Sequence, residues 1–110
     1  MRKTLKHLRS GKIIWYAPDQ DYGIKHSVFA PFFGVQAATI TATERIASSN
    51  HSPVLCFSVK RDNKRCKWRL LFDKEIENFP AESRSESAGI LNNALEKIIR
   101  ECPEQYLWMH

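Results

Sequence analysis

The stretch "SESAGILNNALEKIIREC", residues 85 to 102, places Ile90, Leu91, Ala94, Leu95, Ile98 and Ile99 at the three- and four-residue spacings of one helix face. A helix with a single apolar stripe has to bury it against another layer of structure, so the rest of the chain must supply that layer. Pro103 ends the helix, because proline has no amide to continue the ladder. At 110 residues the chain is one domain or part of one.

Three short segments are candidates for the covering layer. "KIIWYA", residues 12 to 17, is β-branched and aromatic and is stopped by Pro18, which predicts a buried strand. "PVLCFSV", residues 53 to 59, predicts another; "RDNK" reads as a turn and "CKWRLLF" as the antiparallel return. Leu5 and Leu8 sit three apart in a basic segment closed by Gly11, the pattern of a short helix with glycine just past its end. "TITATERIASSN" predicts a short helix with Ile40, Ile46 and Ala47 inward, and "DKEIENFPAESRSES" is a polar linker broken by Pro80. This order predicts an α/β or α+β arrangement, with 12–17 and 53–59 parallel through a right-handed crossover. There is no internal repeat and no low-complexity tract.

Apolar residues make up 43% of the chain and charged ones 26%, which is the composition of an ordinary globular protein and excludes disorder. The apolar runs are about five residues long, far short of the roughly 20 that span a bilayer. "MRKTLKHLRSGKIIWYA" opens like a signal peptide, but its apolar segment is too short and no small-residue cleavage site follows, so a cytosolic chain, or the cytosolic face of something larger, is expected. Cys56, Cys66 and Cys102 are odd in number and contain no C-x-x-C pair, which predicts reduced, partly buried thiols and no metal site.

Charge is unevenly spread. Residues 1 to 74 carry 14 Lys/Arg against 5 Asp/Glu, whereas residues 75 to 110 carry 3 against 7. The positive charge concentrates in "MRKTLKHLR" and in "KRDNKRCKWR" at 60 to 69, which favours phosphate-bearing or acidic partners unless both are simply solvated faces.

The most unusual stretch is "PDQDYGIKHSVFAPFFG", residues 18 to 34. A polar loop leaving the carboxyl end of a buried strand is where open α/β sheets place ligand sites. Asp19 and Asp21 stand two apart and share a side if the backbone stays extended, where they would hold a cation, accept hydrogen bonds from a substrate or orient a neighbouring base. Equally, Asp19 would cap a turn and Asp21 would pair with Lys25 or an arginine. "FAPFFG" is too apolar for an ordinary surface loop. No catalytic set is complete: Lys12, Pro31 and Cys56 stand five positions after His7, His26 and His51, His110 is the last residue, and there is no G-x-S-x-G or Gly-rich phosphate loop.

"GKIIWYAPDQDYGIKHSVFAPFFGVQAAT" and "PEQYLWMH" resemble the late acyltransferases of lipid A biosynthesis, the lauroyl and palmitoleoyl transferases of Gram-negative bacteria. The resemblance runs from the basic helix before Gly11 to His110. It implies an α/β fold, a partial glycerolipid-acyltransferase-like sandwich with a mixed sheet and flanking helices, in which residues 1–110 are the C-terminal fragment of the acyltransferase domain. It implies transfer of a fatty acyl group from acyl carrier protein to a hydroxyl of a lipid A precursor at the cytoplasmic face of the inner membrane, with no cofactor. The base would be the histidine of an H-x-x-x-x-D/E motif upstream of Met1, as would the membrane anchor, so the chain alone would be inactive and either soluble or aggregated in the cytoplasm. Asp19, Gln20, Asp21, Tyr22 and Gly23 would form one wall of the transfer site, and Phe29, Phe32 and Phe33 would offer apolar surface to the acyl chain or the membrane interface, unless they pack as plain core. The basic patches would then meet acidic carrier protein and lipid phosphates. A basic non-catalytic module binding nucleic acid or an acidic protein is the alternative, with nucleic acid not expected on the family reading.

Overall fold

The structure is a computed structural model that describes residues 2–20 and 22–108. In chain order it contains α1 (Arg2–Arg9), a 3-10 turn (Ile24–His26), β1 (Ser27–Phe32), β2 (Val35–Ile40), α2 (Ala42–Asn50), β3 (Leu55–Asp62), β4 (Lys67–Glu75), α3 (Arg84–Arg100) and a second 3-10 turn (Pro103–Gln105). The mixed helix-and-sheet class expected from the sequence holds. The strands form two separate antiparallel hairpins, β1–β2 and β3–β4.

α3 is the organiser. The Ser83 hydroxyl accepts from the Glu86 amide at 3.1 Å and caps the first turn, with Glu86 at the third helical position as in a capping box. Its inner face buries Ala88, Leu91, Asn92 and Ile99. The helix packs chiefly on β1, where Ala30 is fully buried, and on β3, where Cys56 is buried. Asn92 is 4% exposed and fixes this contact, donating to the Pro31 carbonyl at 3.0 Å and to Thr39 Oγ1 at 2.8 Å. A buried amide partnered this way holds a helix to a hairpin in one register.

Three expectations are corrected. Residues 12–17 form no strand, and the parallel pairing with 53–59 is not made; Ile13 is 95% and Trp15 70% exposed. A parallel strand is stable where both faces are covered, and here no layer covers the outer side of this segment. It is held by side chains instead: the Tyr16 hydroxyl hydrogen-bonds Thr43 Oγ1 on α2, and the Trp15 ring lies 6.3 Å from Phe57. Second, "SVFAPF" is a strand, not part of a loop. It pairs with "VQAATI" from Ser27↔Ile40 to Phe32↔Val35, with Phe33 and Gly34 between them at φ 48 and 79, a two-residue turn of left-handed residues. Third, Ile40 is buried as the last residue of β2 rather than on the helix, which begins at Ala42 with Ala47 inward.

Candidate functional site

The polar loop, the Phe-Gly turn and the C-terminal tail meet at one place. Tyr106 donates its hydroxyl to Asp19 Oδ2 at 2.9 Å. The edge of the Tyr106 ring meets Trp108 at 5.0 Å between centroids, and Trp108 packs at 5.4 Å on Phe33. Arg100 of α3 lies 4.8 Å over the Phe33 ring and is itself held by Glu96 at 3.2 Å.

Phe33 can sit in the left-handed region only because this surrounding over-determines it. A non-glycine residue there costs about 1–2 kcal/mol. Its amide donates to Glu96 Oε1 at 2.6 Å, and its ring is clasped by Phe32, Trp108 and Arg100. The tail is anchored further by Gln105, whose side-chain amide accepts from the Arg61 amide at 2.8 Å and donates to the Arg61 carbonyl at 3.1 Å, occupying the outer edge of β3 as a strand would.

Beside this cluster lies an apolar cavity of about 790 Å³ between residues 12–19, β3 and α3. Ile14, Tyr16, Cys56, Leu91, Leu95 and Ile98 line it, and Asp19 and Tyr106 also face it. Its size falls within the ~300–1,000 Å³ common for small-molecule sites. A second hollow of about 970 Å³ along residues 74–82 is more open and is lined by Glu75, Glu77, Glu82 and Glu86, which does not suit an apolar ligand. Three of the titratable groups facing the apolar cavity, Cys56, Tyr16 and Tyr106, are shifted towards their neutral forms. Burial pushes the Cys56 thiol up to about 11, with the Asp73 charge adding to it, so little of it is thiolate at neutral pH. Burial also raises Tyr16, and partial burial with the Asp19 carboxylate raises Tyr106 well above the ordinary phenol.

The residues singled out from the sequence are distributed as follows. Asp19 is half-buried in the cluster. Gln20 accepts from the exposed Tyr22 hydroxyl at 3.3 Å, and Gly23, at φ 80, caps the 3-10 turn that carries His26. Asp21 and His110 lie outside the described residues. Phe32 and Phe33 touch edge to face at 4.9 Å, whereas Phe29 is 58% exposed on the face of β1 opposite Ala30. The three phenylalanines therefore do not form one surface. His7, His26 and His51 are exposed on α1, on the first 3-10 turn and just after α2. Among the described residues no three His, Cys, Asp or Glu side chains converge to hold a metal ion, and no helix is long and apolar enough to cross a membrane. Tyr106, Trp108 and Arg100 were given no role by sequence reasoning, although the aromatic spacing of "YLW" after a helix-ending proline was visible.

The family profile described as bacterial lipid A biosynthesis acyltransferase matches residues 1–110. The chain is 37% identical over 111 residues to the lipid A biosynthesis palmitoleoyltransferase of Escherichia coli strain K12, covering 100% of this chain and 36% of that protein. It is 35% identical to the lauroyltransferase of the same organism, with the same coverage, and 31% identical over 113 residues to a lipid A biosynthesis acyltransferase of Haemophilus influenzae, covering 99% of this chain and 34% of that protein. The chain thus spans about a third of the length of the curated relatives it matches. With a profile match along its whole length, the chain belongs to the bacterial lipid A biosynthesis acyltransferase family.

Proposed function

We propose that this chain is the C-terminal part of an acyltransferase domain that moves a fatty acyl group from acyl carrier protein to a hydroxyl of a lipid A precursor at the cytoplasmic face of the inner membrane. The observation that carries the reading is the convergence of "PDQDYG", "FAPFFG" and "PEQYLWMH" through Asp19, Tyr106, Trp108 and Phe33 beside an apolar cavity. A carboxylate beside an apolar pocket suits a substrate with a polar sugar and a hydrocarbon chain.

In this reading Asp19, with Gln20, Asp21, Tyr22 and Gly23, forms the polar wall that holds the sugar or orients the catalytic groups. The cavity takes the acyl chain, Phe32 and Phe33 offer apolar surface beside the tail cluster, and Phe29, exposed elsewhere on β1, offers it to the membrane interface. Lys and Arg of α1 and of the β3–β4 turn meet the acidic carrier protein and the lipid phosphates. The general base is the histidine of an H-x-x-x-x-D/E motif contributed from outside these residues, and no cofactor takes part. Loss of such a base costs on the order of 10²- to 10⁴-fold, so the chain alone stays near background.

The test is a chimera in which this chain replaces the matching part of a longer relative, assayed with acyl-loaded carrier protein and lipid A precursor in micelles by mass spectrometry. The chimera should transfer, its Asp19→Ala variant should lose at least about tenfold in rate at equal folded protein, and the 110-residue chain should give none. Full turnover by Asp19→Ala reduces the loop to a structural turn. Turnover by the chain alone, abolished by His26→Ala or His51→Ala, would move the catalytic centre into these residues.

A further inference from the structure

The Tyr106 phenol is held in place on the side away from Asp19. Its ring meets Trp108 edge to face, and the Trp108 indole donates to the Pro103 carbonyl at 2.9 Å. The Tyr106 amide donates to the same carbonyl at 3.3 Å. Pro103–Gln105 is in turn locked to β3 by the two bonds between Gln105 and Arg61. A donor whose backbone and ring are both fixed has little freedom left to lose when it meets its acceptor.

Asp19 has no such scaffold of its own, because it follows residues 12–17, which no strand pairs. Tyr106 supplies one by donating to Asp19 Oδ2 at 2.9 Å. Partial burial, with the Asp19 charge adding to it, raises the Tyr106 phenol far above its ordinary range, so the proton stays on Tyr106 and the bond positions Asp19 without relaying a proton. Placement of this kind matters, since a displacement of about 1 Å can cost on the order of 100-fold in rate.

The sign of the charge tells which substrate the placed group serves. A fixed carboxylate repels an acidic carrier protein, whereas hydroxyl and amide groups of a sugar donate to it. We propose that Tyr106 is a positioning residue for acyl transfer: its hydroxyl sets the Asp19 carboxylate against the sugar of the lipid acceptor and takes no part in recognising the acyl carrier. The inference rests on the acyl-transfer reading and adds to it a residue, an acting atom and the substrate concerned.

Steady-state kinetics of the chimera, with acceptor and acyl-loaded carrier varied separately, test it. At equal folded protein, Tyr106→Phe should lower kcat/KM for the lipid acceptor about tenfold, the lower end for losing a hydrogen bond to a charged group, and leave KM for the carrier unchanged. Because the phenol acts through Asp19, the double variant Tyr106→Phe, Asp19→Ala should be no slower than Asp19→Ala alone. Asn92→Ala, which loosens α3 on the β1–β2 hairpin, controls for stability and should keep kcat/KM at equal folded protein. Full rate in Tyr106→Phe beside a slow Asp19→Ala, losses that multiply in the double variant, a raised KM for the carrier, or an equal loss in Asn92→Ala would each overturn the inference and leave the acyl-transfer reading standing. Full rate in Asp19→Ala, or no transfer by the chimera, would overturn both.

Discussion

The Tyr106 hydroxyl reaches Asp19 across 87 residues of sequence, at 2.9 Å. The bond ties the tail to the loop that follows residues 12–17, and the same tail holds the β3 edge through Gln105 and the Phe33 turn through Trp108. Three elements with no strand pairing among them are thus fixed by one short aromatic segment.

Tyr106→Phe removes the donor and leaves the ring contact. A hydrogen bond to a charged group contributes about 1.5–3 kcal/mol when enclosed, and here, with the pair half-exposed, a loss of about 1–2 kcal/mol in urea unfolding is expected. The alkaline limb of stability should change as well. Tyr106 keeps its proton in the folded state after an unfolded chain has given it up, so stability falls as pH rises above the ordinary phenol value of about 10. Cys56 adds a limb of the same sign that starts near its ordinary 9.0 and ends near its folded value of about 11. Melting temperature followed from neutral into alkaline pH should therefore drop more steeply in the native chain than in Tyr106→Phe. Parallel curves would mean that the bond does not persist in solution.

Asn92→Ala should be among the most damaging single substitutions in α3. It strips the Pro31 carbonyl and Thr39 Oγ1 of their donor inside the contact between α3 and the β1–β2 hairpin. Leaving buried acceptors unsatisfied costs about 1–3 kcal/mol, with a small cavity added to it. Denaturant midpoints and faster amide exchange in 27–40 would register it. A loss below about half a kcal/mol would show that water replaces the amide.

Lys97 donates to both Asp73 oxygens at 2.9 and 2.8 Å, joining α3 to β4. The lysine holds the Asp73 carboxyl below the usual carboxylate range, so this contribution is complete above the unfolded value of about 3.9 and is lost as pH falls through the folded one. Lys97 is raised by the same partner, and its share is lost only at strongly alkaline pH. Asp73→Asn should flatten the acid limb of the stability profile and leave the neutral plateau nearly level, as expected for an exposed pair. An unchanged acid limb would assign the acid sensitivity to other carboxylates.

How far the sequence revealed this follows from where each signal was stored. α3 and the β3–β4 hairpin were legible, since the spacing from Ile90 to Ile99 and the polar break between Val59 and Trp68 are local patterns. The β1–β2 hairpin was not. Its turn is Phe33–Gly34 where Asn-Gly is the usual signature, and Pro31 sits in β1, where proline is tolerated only at a sheet edge. What stabilises Phe33 in its left-handed conformation comes from Glu96, Arg100 and Trp108, more than 60 residues away, which no local pattern contains. Asp19 was singled out on its position after an apolar run, whereas its partner Tyr106 could be found only in three dimensions.

Residues 12–17 give the last prediction. Their β-branched and aromatic composition suits a strand, yet they pair with none, while β3 has an edge that Gln105 occupies only at Arg61. The segment already lies near that edge, with Trp15 against Phe57 and the apolar cavity in between. A strand without ladder bonds leaves its amides to water, so residues 13–17 should exchange within the fastest class of the chain alone. In the chimera with a longer relative, a covering layer over Ile13 and Trp15 would make parallel pairing favourable, because such strands are stable when enclosed on both faces. Amide exchange by mass spectrometry on both proteins checks this, with protection of 13–17 expected to rise on the order of 100-fold or more in the chimera, as for an amide moving from an open loop into a sheet. Equal, rapid exchange in both would show that the segment is a loop by nature and that its apolar side chains serve the cavity.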